Sequence, residues 1–139
     1  MPNGRTHDLI TYILSILFIP LVLIFNGVNL NSYVLILSFI FSALMFNGDL
    51  DTNSSPYNRW WVFKMIWIPY QLIFTHRSIW THGFILGTLI RVLYISIIPM
   101  LFFTPDIINI INNYNTEFIL LLIGLEIGAM SHTIADKLL

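Results

Sequence analysis

The chain has 139 residues, of which 57% are hydrophobic and only 9% are charged. This length allows one domain, residues 1–139, and the composition is typical of an all-α integral membrane protein rather than of a soluble globular one. Six basic residues against seven acidic ones argue against nucleic acid as a partner, and the absence of cysteine excludes disulfides and thiolate metal sites.

Four apolar stretches predict transmembrane helices. The first and the last two are long enough to cross a hydrocarbon layer of about 30 Å, whereas the second, with about fourteen apolar residues, is short for a full crossing. The predicted spans are residues 9–25, 33–46, 83–103 and 118–135.

Residues 57–74, between the second and third spans, mix tryptophan, basic and apolar side chains. This mixture predicts a helix that lies in the headgroup layer. A further full span is the alternative, but both Lys64 and Pro69 fall inside the segment.

Basic residues indicate the orientation of the four spans. They occur at the amino terminus, in the central segment and at the carboxyl terminus, and the two turns between paired spans have none. The positive-inside rule then predicts that both termini are cytoplasmic. The location implied is a bacterial inner (plasma) membrane, with an internal membrane as the alternative. The residues concerned are Arg5, Arg59, Lys64, Arg77 and Lys137.

Two Gly-x-x-x-Gly motifs occur in the last two predicted spans. They are Gly83/Gly87 and Gly124/Gly128. Because this spacing lets helix backbones approach closely, the motifs predict that the third and fourth spans contact each other.

Every histidine falls at the same predicted membrane boundary, together with several aspartates. Imidazole and carboxylate suit zinc, manganese or iron, and ionisable groups are retained at membrane depth mainly where they serve a site. His132 and Asp136 are four residues apart and share a helix face, and an extended loop after Gly48 would direct Asp49 and Asp51 together. The predicted metal ligands are His7, Asp51, His76, His82, His132 and Asp136.

Three further charged positions are assigned supporting roles. Arg77 follows the ligand His76, where its planar fork suits a phosphate group, although an ordinary positive-inside charge is the alternative. Arg91 and Glu126 lie deeper in the last two spans and are predicted to form an ion pair, with Glu126 alternatively a ligand or an acceptor for His132. Asp8 is placed with them as a structural or outer-sphere residue.

Several motifs together resemble a small family of uncharacterised, cyanobacterial-type metal-binding membrane proteins. That family is similar to membrane-bound metal-dependent hydrolases and, more distantly, to zinc-dependent phospholipase C and related single-strand nucleases. The motifs are residues 1–8 with His7 and Asp8, Gly48-Asp49-Leu50-Asp51-Thr52, His76-Arg77-Ser78 with Thr81-His82-Gly83, and residues 124–136 from Gly124 to His132 and Asp136.

The distant relatives imply two or three zinc ions held by His and Asp, and cleavage of phosphoesters. This chain has Pro2 after Met1 where those relatives use an amino-terminal tryptophan, and it has only four histidines, so two metals are predicted. Manganese and iron remain open. Arg77 and Asp49 are predicted to be catalytic, and Arg5 and Arg77 to bind substrate.

The predicted function is hydrolysis of a lipid phosphate or pyrophosphate at the cytoplasmic headgroup level, with membrane lipid as the partner and a homo-oligomer left open. Two alternatives belong to other classes. One is a metal-binding scaffold or assembly factor without chemistry, and the other is a dinuclear iron oxidoreductase, since helical His/carboxylate sites also hold iron.

Overall fold

The computed structural model describes residues 4–138, and all regular structure in this part of the chain is helical. This confirms the prediction of an all-α protein. The α-helices are α1 (Gly4–Asn26), α2 (Leu30–Met45), α3 (Ser55–Asn58), α4 (Ile68–Ile73), α5 (Ile79–His82), α6 (Leu86–Asn113) and α7 (Asn115–Leu138), with 3-10 helices at Gly48–Asp51 and Trp61–Trp67.

Within residues 4–138, two helices are long and apolar enough to cross a membrane. They contain the stretches Thr6–Asn26 in α1 and Asn115–Asp136 in α7. Helix α6 is broken into Leu86–Ile97 and Pro99–Asn113, which are bent by 105°, and it gives a third span if the pair is counted as one. Helix α2 has 16 residues, which is about 24 Å of helix. Length and composition therefore support two or three spans directly, rather than four.

The central packing contact joins α2 and α7 through small residues. A Cβ atom added at Gly128 would lie 2.7 Å from Ser42 Cβ, and one added at Gly124 would lie 2.7 Å from the Leu35 carbonyl oxygen. The Ser42 hydroxyl also donates to the Leu125 carbonyl across this contact. Gly124 and Gly128 therefore pack against α2 instead of the third span, although α6 and α7 do contact each other, as predicted.

The segment of residues 57–74 forms three short helices instead of the single interfacial helix predicted from its sequence. Trp61, with φ of 48°, lies at the first break, and Pro69 lies in the first turn of α4. One side of the segment is core, since Trp67 and Tyr70 are fully buried. The other side leaves large apolar side chains exposed: Trp61, Phe63, Met65, Leu72 and Ile73.

The aromatic core lies directly beneath the polar loop that follows α2. The Trp67 ring packs edge-on against Phe46, with 5.7 Å between centroids, and Leu50 of the 3-10 helix is fully buried in the same cluster. Gln71 donates to the Leu50 carbonyl oxygen at 3.0 Å. Burial of these side chains fixes the loop that carries two of the predicted site carboxylates.

Candidate metal centre

The predicted ligands come from four parts of the chain that meet at one end of the helices. His7 lies in the first turns of α1, and His132 and Asp136 lie near the end of α7. The 3-10 helix after α2 and the loop leading into α5 complete the set. The 3-10 helix contributes Asp49 and Asp51, and the loop with the α5 that follows it contributes His76 and His82.

Asn47 sets the conformation of the carboxylate loop. Its side chain is fully buried, donates to the Ala43 carbonyl at 3.0 Å and accepts from the Asp49 backbone N–H at 3.2 Å. The loop therefore closes as a 3-10 helix, whereas the sequence suggested an extended segment. As a result, Asp49 and Asp51 face different histidine pairs.

Asp136 joins the first and last helices. Its Oδ1 lies 3.2 Å from His7 Nε2, and its Oδ2 lies 3.5 Å from His132 Nε2. The two imidazole rings are tilted by 32°, with 4.2 Å between their centroids. Asp49 Oδ2 approaches the same His132 nitrogen at 3.2 Å. One group of ligand atoms therefore forms between α1, α7 and the loop.

His82 lies between the two carboxylates of the loop. Its Nε2 is 3.4 Å from Asp49 Oδ1, and its Nδ1 is 3.5 Å from Asp51 Oδ2 and 3.0 Å from the Thr81 hydroxyl. Ser78 occupies the N-cap position of α5, but its side chain accepts no hydrogen bond from the backbone of the helix. Contacts with neighbouring parts of the chain therefore position α5. His82 thus connects the Asp49 group with the Asp51 group.

Asp51 is the buried carboxylate of the second group. Its side chain is fully buried, its Oδ1 lies 2.7 Å from His76 Nδ1, and its Oδ2 accepts the Arg77 backbone N–H at 3.2 Å. Arg77 has φ of 61°, which turns the chain so that this N–H faces the carboxylate. The Arg77 side chain is about half exposed, with Nη2 at 4.0 Å from Asp136 Oδ1.

The cluster fits a divalent cation. Within the described residues, the Nε2 atoms of His82 and His132 are buried and make no hydrogen bond, although carboxylate oxygens lie 3.2 to 3.5 Å away. Ligands about 2.05 Å from a tetrahedral zinc ion are about 3.3 Å from one another. Each of these nitrogens is therefore spaced from its neighbouring carboxylate oxygens as two ligands of one ion would be.

The possible ligands form three overlapping groups. In each group, the donor atoms lie within 4.8 Å of one another. Overlap through Asp136 and His82 allows more than one ion to share ligands. The groups are His7/His132/Asp136, Asp49/His82/Asp136 and Asp51/His76/His82.

The charge of Asp49 suits this role. Burial by itself would raise the pKa of the carboxyl group, but the neighbouring imidazoles of His132 and His82 outweigh burial and hold the pKa well below its usual value. Asp49 is therefore an anion throughout the neutral range, as a ligand to a cation requires.

Gly48 provides the space that His82 needs. A Cβ atom at this position would lie 2.7 Å from His82 Cδ2 and 2.8 Å from Nε2. We expect Gly48→Ala to displace the imidazole and to weaken zinc binding about 10- to 100-fold, the range measured for changes beside metal ligands. Gly27→Ala is the matched control, because a Cβ atom at Gly27 would have no other atom within 4 Å. The φ of 72° at Gly27 makes this change costly for the backbone, but it displaces no side chain of the cluster. Equal zinc affinity in both variants, by competition with a chelating dye, would contradict this placement of His82.

A polar cavity of about 290 Å³ opens beside the cluster. His7, Asp49 and His132 form one part of its wall, and Asp8 and Arg59 form another. Arg59 pairs with Asp8 and donates to the Leu44 carbonyl at 2.7 Å. From the sequence, Arg59 was used only to predict the orientation of the spans. Its position directly before Trp60 and Trp61 was a signal that it could have a further role. The remaining lining residues are Ala43, Asn53, Ser54, Ser55 and Pro56.

The predicted ion pair between Arg91 and Glu126 is wrong for the described side chains. Arg91 is buried and donates to the Thr81 carbonyl at 2.7 Å and to the Thr88 hydroxyl at 3.0 Å. Glu126 instead accepts the backbone N–H of Ile85, where the chain has φ of 64° and α6 begins. Arg91 therefore supports the residue next to His82. The side chain of Arg5, a predicted substrate contact, lies outside the described residues.

The fold and the cluster define an all-helical protein with a His/Asp metal-binding centre. Residues 2–139 match the family described as uncharacterized metal-binding protein (DUF2227), and the chain belongs to that family. A protein of Aquifex aeolicus (strain VF5), itself described as uncharacterized, is 33% identical over 60 residues. That alignment covers 42% of each protein, so the match spans less than half the length of this curated relative.

No solved structure matches this chain. The metal-binding part of the expected resemblance is thus confirmed, while its extension to hydrolases and phospholipase C receives no support from these relatives.

Proposed function

We propose that this protein is a membrane-embedded, metal-dependent phosphoesterase that acts on a lipid phosphate or pyrophosphate. The observation that supports the proposal is the opening of a polar cavity directly onto buried, unpartnered imidazole nitrogens and carboxylates. Such an arrangement of convergent polar groups in a cavity is the usual form of a small-molecule site.

The proposed metal ligands are two neighbouring sets of side chains, linked by the approach of His82 Nε2 to Asp49 Oδ1 at 3.4 Å. His7, His132, Asp49 and Asp136 surround one position, and Asp51, His76 and His82 surround another. Two ions are the number proposed, with zinc favoured by an all-imidazole and carboxylate set and by the tetrahedral spacing. Divalent cations bound there would supply Lewis-acid activation of water and of a phosphoryl oxygen.

The protein side chains position the reaction. Hydrolysis joins the oxygen of a water molecule to phosphorus while the P–O ester bond breaks, and the leaving oxygen takes the electron pair and then a proton. Asp49 lines the cavity and remains anionic, so it would hold a cation at the cavity wall, and Arg59 lines the same cavity, where its guanidinium would offset phosphate charge. Arg77 lies on the Asp136 side of the cluster, where it balances carboxylate charge.

The membrane part of the proposal rests on apolar surface. Helices α1 and α7 would span the bilayer, with α2 packed on α7 and the broken α6 as the remaining crossing, to give four spans. His7, near the start of α1, contacts Asp136, near the end of α7, so in a bilayer crossed by both helices these two helix ends would lie on one side. The positive-inside rule makes this side cytoplasmic, in the bacterial inner membrane or an internal one. The exposed face of residues 61–73 would then lie among lipid headgroups.

The test is turnover by purified, zinc-loaded protein on phosphatidate, phosphatidylglycerol-phosphate and polyprenyl pyrophosphate. We expect release of inorganic phosphate from at least one lipid, abolished by chelation and by His132→Ala, and retained in Lys64→Gln. Elemental analysis of the same sample should show zinc. Fully loaded protein without turnover would favour a metal-binding scaffold, and bound iron would favour an oxidoreductase.

A further inference from the structure

We infer that Arg59 forms the subsite that binds the phosphoryl group of the ligand, and that Asp8 competes with phosphate for the same guanidinium. This inference rests on the proposed function and names the residue that recognises the ligand. The recognised chemistry is a phosphate dianion, carried either by a lipid or by a free phosphate.

The first argument is position. Arg59 lines the same cavity of about 290 Å³ as His7, Asp49 and His132, so one anion in this space can contact both the guanidinium and a cation held by these ligands. Arg77 does not line this cavity, and its nearest carboxylate contact is Asp136. The guanidinium placed to meet a ligand inside the cavity is therefore that of Arg59.

The second argument is the geometry of the guanidinium. One end of the fork is held, since Nη1 donates to the Leu44 carbonyl oxygen at 2.7 Å. The other end, Nη2, faces a carboxylate of Asp8, which also lines the cavity. Because both terminal nitrogens of Arg59 already contact oxygen atoms, the guanidinium is oriented to bind an oxyanion. A phosphate group suits the same planar fork, since two of its oxygens can accept from the two nitrogens.

The third argument is that the Asp8 pair is accessible to solvent. The Arg59 side chain is 32% exposed and that of Asp8 is 25% exposed. An accessible ion pair contributes little stability, so a phosphate dianion can replace the carboxylate at small cost. Trp60 and Trp61 follow Arg59 directly and Trp61 is 78% exposed, so the segment that carries this guanidinium also presents apolar surface suited to the acyl part of a lipid.

The experiment compares two variants that break the same ion pair. Binding is measured by calorimetry on zinc-loaded, full-length protein with inorganic phosphate and with a phosphonate analogue of phosphatidate in mixed micelles. We expect Arg59→Gln to weaken phosphate binding about 10- to 100-fold, the loss of a charge-assisted contact. We expect Asp8→Asn to strengthen binding, since it frees the guanidinium.

Controls separate this role from a structural one. Lys64→Gln removes a cation of the same segment that contacts Asn58 and the Tyr57 ring instead of the cavity, and it should leave binding unchanged. Arg59→Lys should recover part of the affinity. Equal affinity in wild type and Arg59→Gln, or a loss of the same size in Asp8→Asn and Arg59→Gln, would overturn the inference.

The two ligands identify the source of the phosphate group. Stronger binding of the phosphonate lipid than of inorganic phosphate, with the same dependence on Arg59, supports a lipid ligand, whereas dependence on Arg59 for inorganic phosphate alone supports a free one. If phosphate binding depends on Arg59 but no lipid phosphate is hydrolysed, the subsite is supported and the proposed hydrolase activity is overturned.

Discussion

Replacement of Asp136 by asparagine is expected to remove the metal ion of the α1–α7 group, and so to lower the zinc content, while the helices remain folded. The two oxygens of Asp136 approach His7 and His132, and the residue belongs to two of the three ligand groups. Changes outside the coordination sphere already cost about 10- to 100-fold in metal affinity, so loss of this anionic ligand should cost more than about 100-fold. The measurement is zinc content after dialysis, together with far-ultraviolet circular dichroism.

Asp106→Asn is the matched control for this variant. It is the same chemical change at an exposed position of α6, and Asp106 belongs to none of the ligand groups. Asp106→Asn should keep the zinc content of the wild type. A zinc content in Asp136→Asn equal to that of the control would exclude the α1–α7 group as a metal site.

Removal of the metal by a chelator is expected to lower the thermal stability of the wild type by about 10 °C. A ligand present at 1,000 times its Kd stabilises the folded state by about 4 kcal/mol, and each kcal/mol shifts Tm by about 2–4 °C in a chain of this size. The ions would also neutralise carboxylates that are buried close together, Asp49 and Asp51 among them. The measurement is a melting curve in detergent, with and without chelator.

The Asp136→Asn variant tests the cause of this shift. If the shift arises from the α1–α7 group, the variant melts below the wild type, and chelator lowers its Tm by less than it lowers that of the wild type. A chelator effect of equal size in the variant would instead place the stabilising ion elsewhere.

Local sequence patterns predicted the long helices and the types of residue in the site. The apolar runs of α1 and α7 are long enough to identify a helix without knowledge of their neighbours. The four histidines stand out because ionisable groups are rare in so apolar a chain. What these patterns lacked was information on which surfaces meet.

The partner of Gly124 and Gly128 illustrates this limit. The glycines predict a close helix contact but not its partner, and the third span was expected because it carries the same motif. The structure pairs them with Ser38 and Ser42 of α2, which are four residues apart and so present small side chains on one face. That spacing was visible in the sequence and offered a signal for the correct pair.

The cavity and the loop geometry depended on long-range packing and could not be predicted locally. Arg59 reaches the cluster only because the aromatic core around Trp67 folds its segment back beneath the loop that carries Asp49. Asp49 and Asp51 lie in a 3-10 helix because buried Asn47 closes that loop. The first effect requires contacts between parts of the chain that are distant in sequence. The Asn47 hydrogen bonds are local, but the loop is also held by the distant Gln71, which donates to the Leu50 carbonyl oxygen.

The contact of His7 with Asp136 has a consequence for biosynthesis. His7 is synthesised with α1, whereas Asp136 is synthesised much later, with α7, and His132 belongs to the same later helix. A nascent chain that lacks α7 has neither, so it cannot complete this group of ligands. Metal loading of the α1–α7 group must therefore follow synthesis of α7, and truncated products that lack α7 would not hold this ion.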